Sequence, residues 1–490
     1  MTDAQTTPVV TTLIIGAGFA GLGTAIRLQQ EGIDDMVILE RDEQVGGTWR
    51  DNQYPGAACD IPSNLYSYSF APNPEWSRSF SGSNEILDYI HYLVDEFDLE
   101  KHIRFNCNVT DLSFQEKAGL WEATLEKGEV VRGRTAVMAQ GPLSNASFPN
   151  IEGLEEFEGK KIHSARWDHD YDFTGKRVAV IGTGASAIQF VPEIAKQAKQ
   201  VLLFQRSAPY VIPKPDRPYS ATEQRLMARF PLLQKLDRAR VYAQNEARVL
   251  GFTSLQGAMR FHEYLFKKHL RECVPDPDTR AKLTPDYPMG CKRILISNDY
   301  YQALTKYRIP VITGGVRAIT ADGVEDTDGE HHQADVIIYG TGFQATDFLA
   351  PMTITGRRGQ DLNQAWRDGA EAYLGITVHG FPNLFMLYGP NTNLGHNSII
   401  YMIESQIAYV VSALETLERD GHRFVDVRPG VQDDFNRRLQ ARMRDTVWDQ
   451  GCESWYKTAS GKNTNNWPGF TFSYRQRTRH LDPEDYELHP

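Results

Sequence analysis

The sequence predicts an α/β fold of two similar strand–turn–helix modules, with a mostly helical insert inside the second. Three observations predict it. Two Gly-rich turns, Gly16–Gly21 and Gly182–Ala187, each follow a continuous β-branched run and precede a helical pattern. A third apolar run, Asp335-Val-Ile-Ile-Tyr, also ends in glycines, Gly340 and Gly342. Between about 215 and 288 such turns are missing, and Leu236, Ala239, Ala243, Ala247 and Leu250 recur at helical spacing. Continuous apolar runs suit parallel strands buried on both faces, where no side of the strand meets water.

At 490 residues the chain exceeds what one hydrophobic core supports, so two or more domains are expected. The formal charge of −11 opposes binding to a phosphate backbone, and no nucleic-acid partner is expected. Five cysteines, Cys59, Cys107, Cys273, Cys291 and Cys452, form no C-x-x-C pair. That spacing predicts neither a disulfide framework nor a zinc or other metal site, and it points to a reducing, cytoplasmic setting. No apolar run approaches the ~18 residues that span a bilayer. The stretch Leu13–Ile26, broken by four glycines, belongs to the first module rather than to a signal peptide.

In the first module the strand Thr11–Ile15 leads into Gly16-Ala-Gly18-Phe19-Ala20-Gly21, and a helix is expected over Thr24–Glu31. A G-x-G-x-x-G loop in this context lets a pyrophosphate approach the backbone and meet the positive end of the helix. The next strand, Met36–Glu40, ends in a carboxylate placed to bind ribose hydroxyls, with Arg41 beside it. The second module repeats the pattern as Gly182-Thr183-Gly184-Ala185-Ser186-Ala187, with a helix expected near Ile188–Lys199 and a strand Val201–Arg206. Glu40 lies 24 residues after Gly16, and Arg206 lies 24 residues after Gly182. The position that carries an acid in one site carries an arginine in the other. An acid repels a 2′-phosphate and a guanidinium grips it, so the first site fits FAD and the second NADP. Two such sites in one chain imply electron transfer from NADPH to a flavin. The expected organisation is an FAD-binding part over residues 1–147 and an NADP-binding domain over 148–385 with the insert at about 215–288. Residues 386–490 then complete the FAD-binding domain.

Two longer patterns narrow the class. Phe157-Glu-Gly159-Lys-Lys-Ile-His163-Ser-Ala-Arg-Trp167-Asp168 matches F-x-G-x-x-x-H-x-x-x-W-[PD] at every fixed position. Gly46-Gly47-Thr48-Trp49-Arg-Asp-Asn-Gln-Tyr54-Pro-Gly-Ala-Ala-Cys-Asp60 matches [AG]-G-x-W-x(4)-[FY]-P-[GM]-x(3)-D. Together they resemble the fingerprints of type I Baeyer–Villiger monooxygenases, a class B flavoprotein monooxygenase family, across nearly the whole chain. The resemblance implies a ketone substrate, O2 and NADPH, with an ester or lactone as product through a flavin peroxide anion, and sulfide oxidation as a side activity. The other reading is an N- or S-hydroxylating flavin monooxygenase of the same class. A disulfide reductase would need the C-x-x-C pair that is missing here.

The resemblance also implies roles. Arg293 would be the catalytic cation, since a guanidinium stays charged and cannot give its proton to the peroxide. Asp60 would orient it, and Lys292 would join Arg206 at the 2′-phosphate. Gly47, Thr48, Trp49, Val109, Thr341, Gly342, Asn391 and Trp455 would contact the cofactors. Phe157, Gly159, His163 and Trp167 form the fingerprint between the modules, with His163 read as a hinge rather than an acid–base group. Two positions depart from the family: Ala58 stands where several members have Arg, and Gln140 replaces the usual Thr of an A-T-G turn.

Overall fold

The computed structural model describes residues 9–343, 349, 351–452 and 454–490. The first sheet runs in the order Thr353–Thr355, Val109–Gln115, Leu120–Leu125, Val130–Met138, Val9–Ile15, Met36–Leu39, Ile103–Arg104. Leu384–Met386 also pairs, in parallel, with Val130–Met138. The Val9–Ile15 strand has parallel neighbours on both sides, Met36–Leu39 and Val130–Met138. The chain therefore turns away from this strand in both directions, which opens a crevice beyond its C-terminal end. The residues there are Gly16–Phe19.

The helix that follows begins at Phe19 and runs to Gln30, five residues earlier than the expected Thr24. Its glycines explain the difference. A Cβ on Gly21 would lie 1.9 Å from the Gly16 carbonyl oxygen, and one on Gly23 would strike the Tyr68 ring. Glycine lowers helix propensity, but here it lets the first turn pack directly on the loop and its neighbours.

The second sheet is wholly parallel, in the order Val311–Thr313, Gln200–Gln205, Arg177–Ile181, Val336–Tyr339, Lys160–His163. Its central strands are buried along their length, as their β-branched composition requires. The helix after the second Gly-rich turn spans Ala187–Ile194, shorter than the expected Ile188–Lys199.

The insert is helical, over Ala221–Arg229, Pro231–Ala247, Val249–Phe252, Gly257–Cys273 and Pro277–Lys282. Its apolar spacing identifies helix but not the buried face. Leu236 is 58% exposed, and Ala239, Ala243 and Ala247 also face solvent. The inward face of Pro231–Ala247 is instead Gln234, Val241, Asn245 and Glu246. Polar bonds to the first module hold it there: Gln234 donates to Asn64 Oδ1 at 3.1 Å, and Arg238 donates to the Asn64 carbonyl at 2.6 Å.

The chain returns to the first module ahead of the expected boundary at 386, because Thr353–Thr355 and Leu384–Met386 are already strands of its sheet. The helix Ile399–Asp420, capped by Ser398 at its N-terminus, packs Ile403, Ile407 and Val410 into the same core as Leu22 and Ile26. A second core joins the parallel sheet to the insert and the tail, burying Phe190, Phe252, Trp448 and Trp467. One cysteine expectation is corrected here. Cys291 and Cys452 are joined in a disulfide, 161 residues apart in sequence with Cα atoms 6.3 Å apart, while Cys59, Cys107 and Cys273 are free. Sequence spacing reveals only short-range pairs, and this one is brought together by the tertiary fold. Among the described residues no helix is long and apolar enough to cross a membrane.

Candidate functional site

A single cavity of about 1410 Å³ runs between the two Gly-rich turns. It is larger than the roughly 300–1,000 Å³ of an ordinary small-molecule pocket, and suits two dinucleotides meeting end to end. The structure brings to its wall Gly16, Gly18, Phe19, Ala20, Glu40, Arg41, Gly47, Thr48, Trp49, Asp60 and Val109 from the first module. From the other side come Gly182, Thr183, Gly184, Ala185, Ser186, Arg206, Lys292, Arg293, Thr341 and Gly342, with Trp455 from the tail.

The first turn fits a dinucleotide on its backbone alone. Gly16 has φ +106°, and a Cβ there would lie 2.9 Å from the Ala139 carbonyl oxygen. The cradle therefore needs glycine and leaves its amides open to a ligand. Glu40 is 4% exposed; its Oε2 accepts the Ala17 amide at 2.7 Å and its Oε1 faces the Arg50 guanidinium at 3.2 Å. Arg50 also binds Asp42 at 2.6 Å and Asp51 at 2.8 Å, and these carboxylates keep it firmly protonated against the opposing pull of burial. A buried acid is affordable because this arginine answers its charge.

At the second turn Gly182 has φ +109°, and a Cβ would lie 2.4 Å from the Gly340 carbonyl oxygen. Arg206 is exposed at the cavity rim. Lys292 donates to the hydroxyl of Ser207, the next residue, at 3.1 Å, with its ammonium 4.5 Å from the centre of the Tyr287 ring. Two cations therefore converge on one end of the cavity, where a 2′-phosphate can be held.

Between the turns lies Arg293. Its Nε and one terminal nitrogen donate to the same Asp60 oxygen, at 2.9 and 2.6 Å. About 30% of each side chain is accessible, through the cavity wall. The carboxylate raises the guanidinium above its ordinary value and outweighs burial, so Arg293 is a permanent cation. Aromatic groups close the neighbourhood: Trp49 donates its indole N–H to the Tyr66 hydroxyl at 3.1 Å, and Tyr388, at φ +61°, donates to Asn393 Oδ1 at 2.7 Å.

Several predicted residues do not line the cavity. The Asn391 side chain is buried and donates to the carbonyls of Asn463 and Asn466 at 2.8 and 3.2 Å, so it anchors the tail. Gly21 serves helix packing. Phe157 is in the core of the second module, and Gly159 is required because a Cβ would lie 2.6 Å from the Asp335 carbonyl oxygen. Trp167 packs on Phe173 and Phe190. His163 is in register with Tyr339 on the edge strand, its Nδ1 accepts the Ala165 amide at 3.1 Å, and its ring lies 5.1 Å from that of Phe148. Burial lowers its pKa and favours the neutral form.

Sequence reasoning missed Arg50, which follows Trp49 inside the fingerprint, and Gln189. The latter accepts the Tyr54 hydroxyl at 2.9 Å and donates to the Ala58 carbonyl at 2.9 Å, tying the second module's helix to the first module's fingerprint. No motif marks it; only the tertiary structure shows the bridge.

A profile of the flavin-binding monooxygenase-like family matches residues 10–246. A Baeyer–Villiger monooxygenase of Pseudomonas aeruginosa is 49% identical over 97% of this chain and 90% of its own. One from Streptomyces coelicolor is 46% identical over 97% of this chain and 92% of its own. Among solved structures, an oxidised steroid monooxygenase bound to NADP superposes with a TM-score of 0.88 at 31% identity, covering 98% of this chain and all of that one. The cyclohexanone monooxygenase of Rhodococcus sp. Phi1, bound to NADP+, gives 0.89 at 28% identity over 99% of this chain and all of its own. With the two Gly-rich turns, the paired fingerprints and full-length similarity in agreement, the chain belongs to the Baeyer–Villiger monooxygenases of the flavin-binding monooxygenase-like family.

Proposed function

We propose that this protein oxidises ketones with O2 and NADPH, placing one oxygen atom beside the carbonyl to give an ester or lactone, and that it uses FAD to do so. The observation that carries the reading is the permanently charged Arg293, held by Asp60 in the cavity wall between the two dinucleotide turns. When bound, FAD takes electrons from NADPH and delivers them to dioxygen, which is the chemistry that makes an oxygen atom available to the ketone.

The chain's own residues supply binding, charge and dryness. The amides of Gly16–Phe19 and the helix end behind them would hold the FAD pyrophosphate, and Glu40 would serve its ribose hydroxyls. Gly182–Ser186 would do the same for NADP, with Arg206 and Lys292 available to hold its 2′-phosphate. Arg293 stabilises negative charge on the oxygen that attacks the carbonyl and, unlike Lys or His, holds its protons too firmly to give one to it. Asp60 fixes the plane of that guanidinium. Trp49, Tyr66 and Tyr388 shield the reacting end from water, which strengthens the interaction with Arg293. A cytoplasmic location is part of this reading.

The test is Arg293→Ala. Removing a preorganised charge of this kind costs about 10²–10³ in rate. The variant is expected to lose ester formation by that factor while still consuming NADPH and releasing hydrogen peroxide. Ester formation that survives in the variant refutes the assignment. Oxidation of sulfides but of no ketone by the parent enzyme would favour the heteroatom-oxidising alternative.

A further inference from the structure

The disulfide stands at an unusual point in this architecture. Cys291 is two residues before Arg293, and Cys452 is three residues before Trp455. One covalent bond thus joins the loop that carries both Lys292 and Arg293 to the tail segment that reaches the same cavity. On one side of the bond Cys291 is buried with Met289, Trp448, Tyr456 and Trp467. On the other, Lys292, Arg293, Ser454 and Trp455 form cavity wall.

Trp455 presents its side chain at the cavity wall. It is 40% exposed; its ring centre lies 4.5 Å from that of Tyr456, and its carbonyl accepts Asn465 Nδ2 at 3.2 Å. Tyr456 is 1% exposed, its hydroxyl has no hydrogen-bond partner among the described residues, and Arg293 and Asp60 act on it electrostatically. The Tyr456 carbonyl accepts the Thr464 amide at 3.2 Å and Asn465 Nδ2 at 3.4 Å, which fixes this end of the segment to the tail, and the Cys452 bond links the segment covalently to the Arg293 loop.

We propose that the Cys291–Cys452 disulfide is a positioning element of the NADP site, clamping the Trp455 segment against the Lys292–Arg293 loop so that the grip on NADP follows the thiol redox state. The proposal rests on the function proposed above. The switching step is thiol–disulfide exchange. A dithiol supplies two electrons and two protons, the protein S–S bond breaks to two S–H groups, and the dithiol closes to its own disulfide. Oxidation runs in reverse, with a small disulfide as acceptor. Both cysteines are buried, Cys291 completely and Cys452 at 9% exposure, so a dithiol would reach the bond from the Cys452 side. In a thiol-rich cytoplasm the reduced form is then reachable, and an oxidising shift closes the clamp.

The experiment uses the FAD-loaded enzyme, as oxidised protein and after treatment with dithiothreitol. Thiols are counted by alkylation under denaturing conditions, NADP+ affinity by flavin difference absorbance, and hydrogen peroxide is measured per NADPH consumed. If the docked segment falls to about a fifth of its population on reduction, the apparent Kd for NADP+ rises roughly fivefold in proportion. KM for NADPH should rise alike, kcat at saturating NADPH should change less than about twofold, and the peroxide share should increase. Cys291→Ser and Cys452→Ser should each resemble the reduced enzyme and ignore dithiothreitol, whereas Cys273→Ser should keep the response. NADP+ affinity that is equal in the two forms overturns the proposal, as does labelling of all five cysteines in oxidised protein. Because NADP+ titration needs no ketone, enzyme that oxidises no ketone yet shows the affinity change would support the clamp and refute only the function.

Discussion

Arg206→Ala separates recognition of the 2′-phosphate from everything else the second module does. The side chain is exposed at the rim of the cavity, on the residue after the Gln200–Gln205 strand. Its removal should disturb no packing and shift folding stability within about 0.5 kcal/mol. A charge-assisted hydrogen bond contributes about 1.5–3 kcal/mol. Solvent at the rim and the second cation, Lys292, place the loss near the lower end, about 1.5–2 kcal/mol. At 1.4 kcal/mol per tenfold, the Kd for NADPH should rise roughly 10- to 30-fold. NADH lacks the 2′-phosphate and should bind within about twofold of its original affinity. The assay is anaerobic flavin reduction followed against NADPH and then NADH concentration. Added salt should narrow the gap between parent and variant, since exposed charges are screened within about 10 Å at 0.1 M. Equal weakening of both nucleotides would refute the reasoning, because it would place Arg206 at a moiety they share.

Other perturbations reach different parts of the structure. Gly16→Ala puts a Cβ 2.9 Å from the Ala139 carbonyl at φ +106°, so the variant should be expressed largely without bound flavin, as read from its absorbance. Glu246, 6% exposed, accepts the Thr471 amide at 2.6 Å, the Thr471 hydroxyl at 2.7 Å and Asn397 Nδ2 at 2.6 Å; Glu246→Ala should cost about 3 kcal/mol and lower Tm measurably. His396 has its pKa lowered to about 3, by burial first and by Arg248 second. Its folded pKa lies below its unfolded value of about 6.5, so the unfolded state takes up protons first and stability falls as pH drops from about 6.5 toward 3. At pH 5 the loss is at most about 2 kcal/mol, an upper bound because Glu246 Oε2 lies 3.8 Å from Nε2 and pulls the other way. A Tm–pH profile of His396→Gln that keeps the parent's full acid slope would refute the assignment to this residue.

What the sequence disclosed follows from the range of the interactions. The Gly-rich turns and their following strands are local, and each constrains the backbone by itself, so both modules and the acid–arginine contrast between Glu40 and Arg206 could be read directly. The Arg293–Asp60 pair spans 233 residues and was visible only through a family resemblance. Gln189, Arg50 and the Cys291–Cys452 bond carry no local signature. The insert shows a different limit. Periodicity marks Pro231–Ala247 as helix, but which face turns inward is decided by polar partners such as Asn64 and Thr471, far away in the chain. Asn391 sits in a loop next to the cavity, yet its side chain turns to the tail carbonyls, and side-chain direction within a loop is set by neighbours that spacing does not reveal.

The placement of Leu384–Met386 beside Val130–Met138 bears on how the chain is made. On a ribosome the edge formed by Ala136–Met138 emerges with its parallel partner still untranslated, and the entire second module must appear before the sheet is finished. At about 5–20 residues per second the wait is on the order of tens of seconds. An unpaired apolar strand is a template for pairing with other chains over that interval. Heterologous expression should therefore give more soluble enzyme when translation is slow or chaperones are abundant, because the nascent first module must be protected until the returning strand arrives.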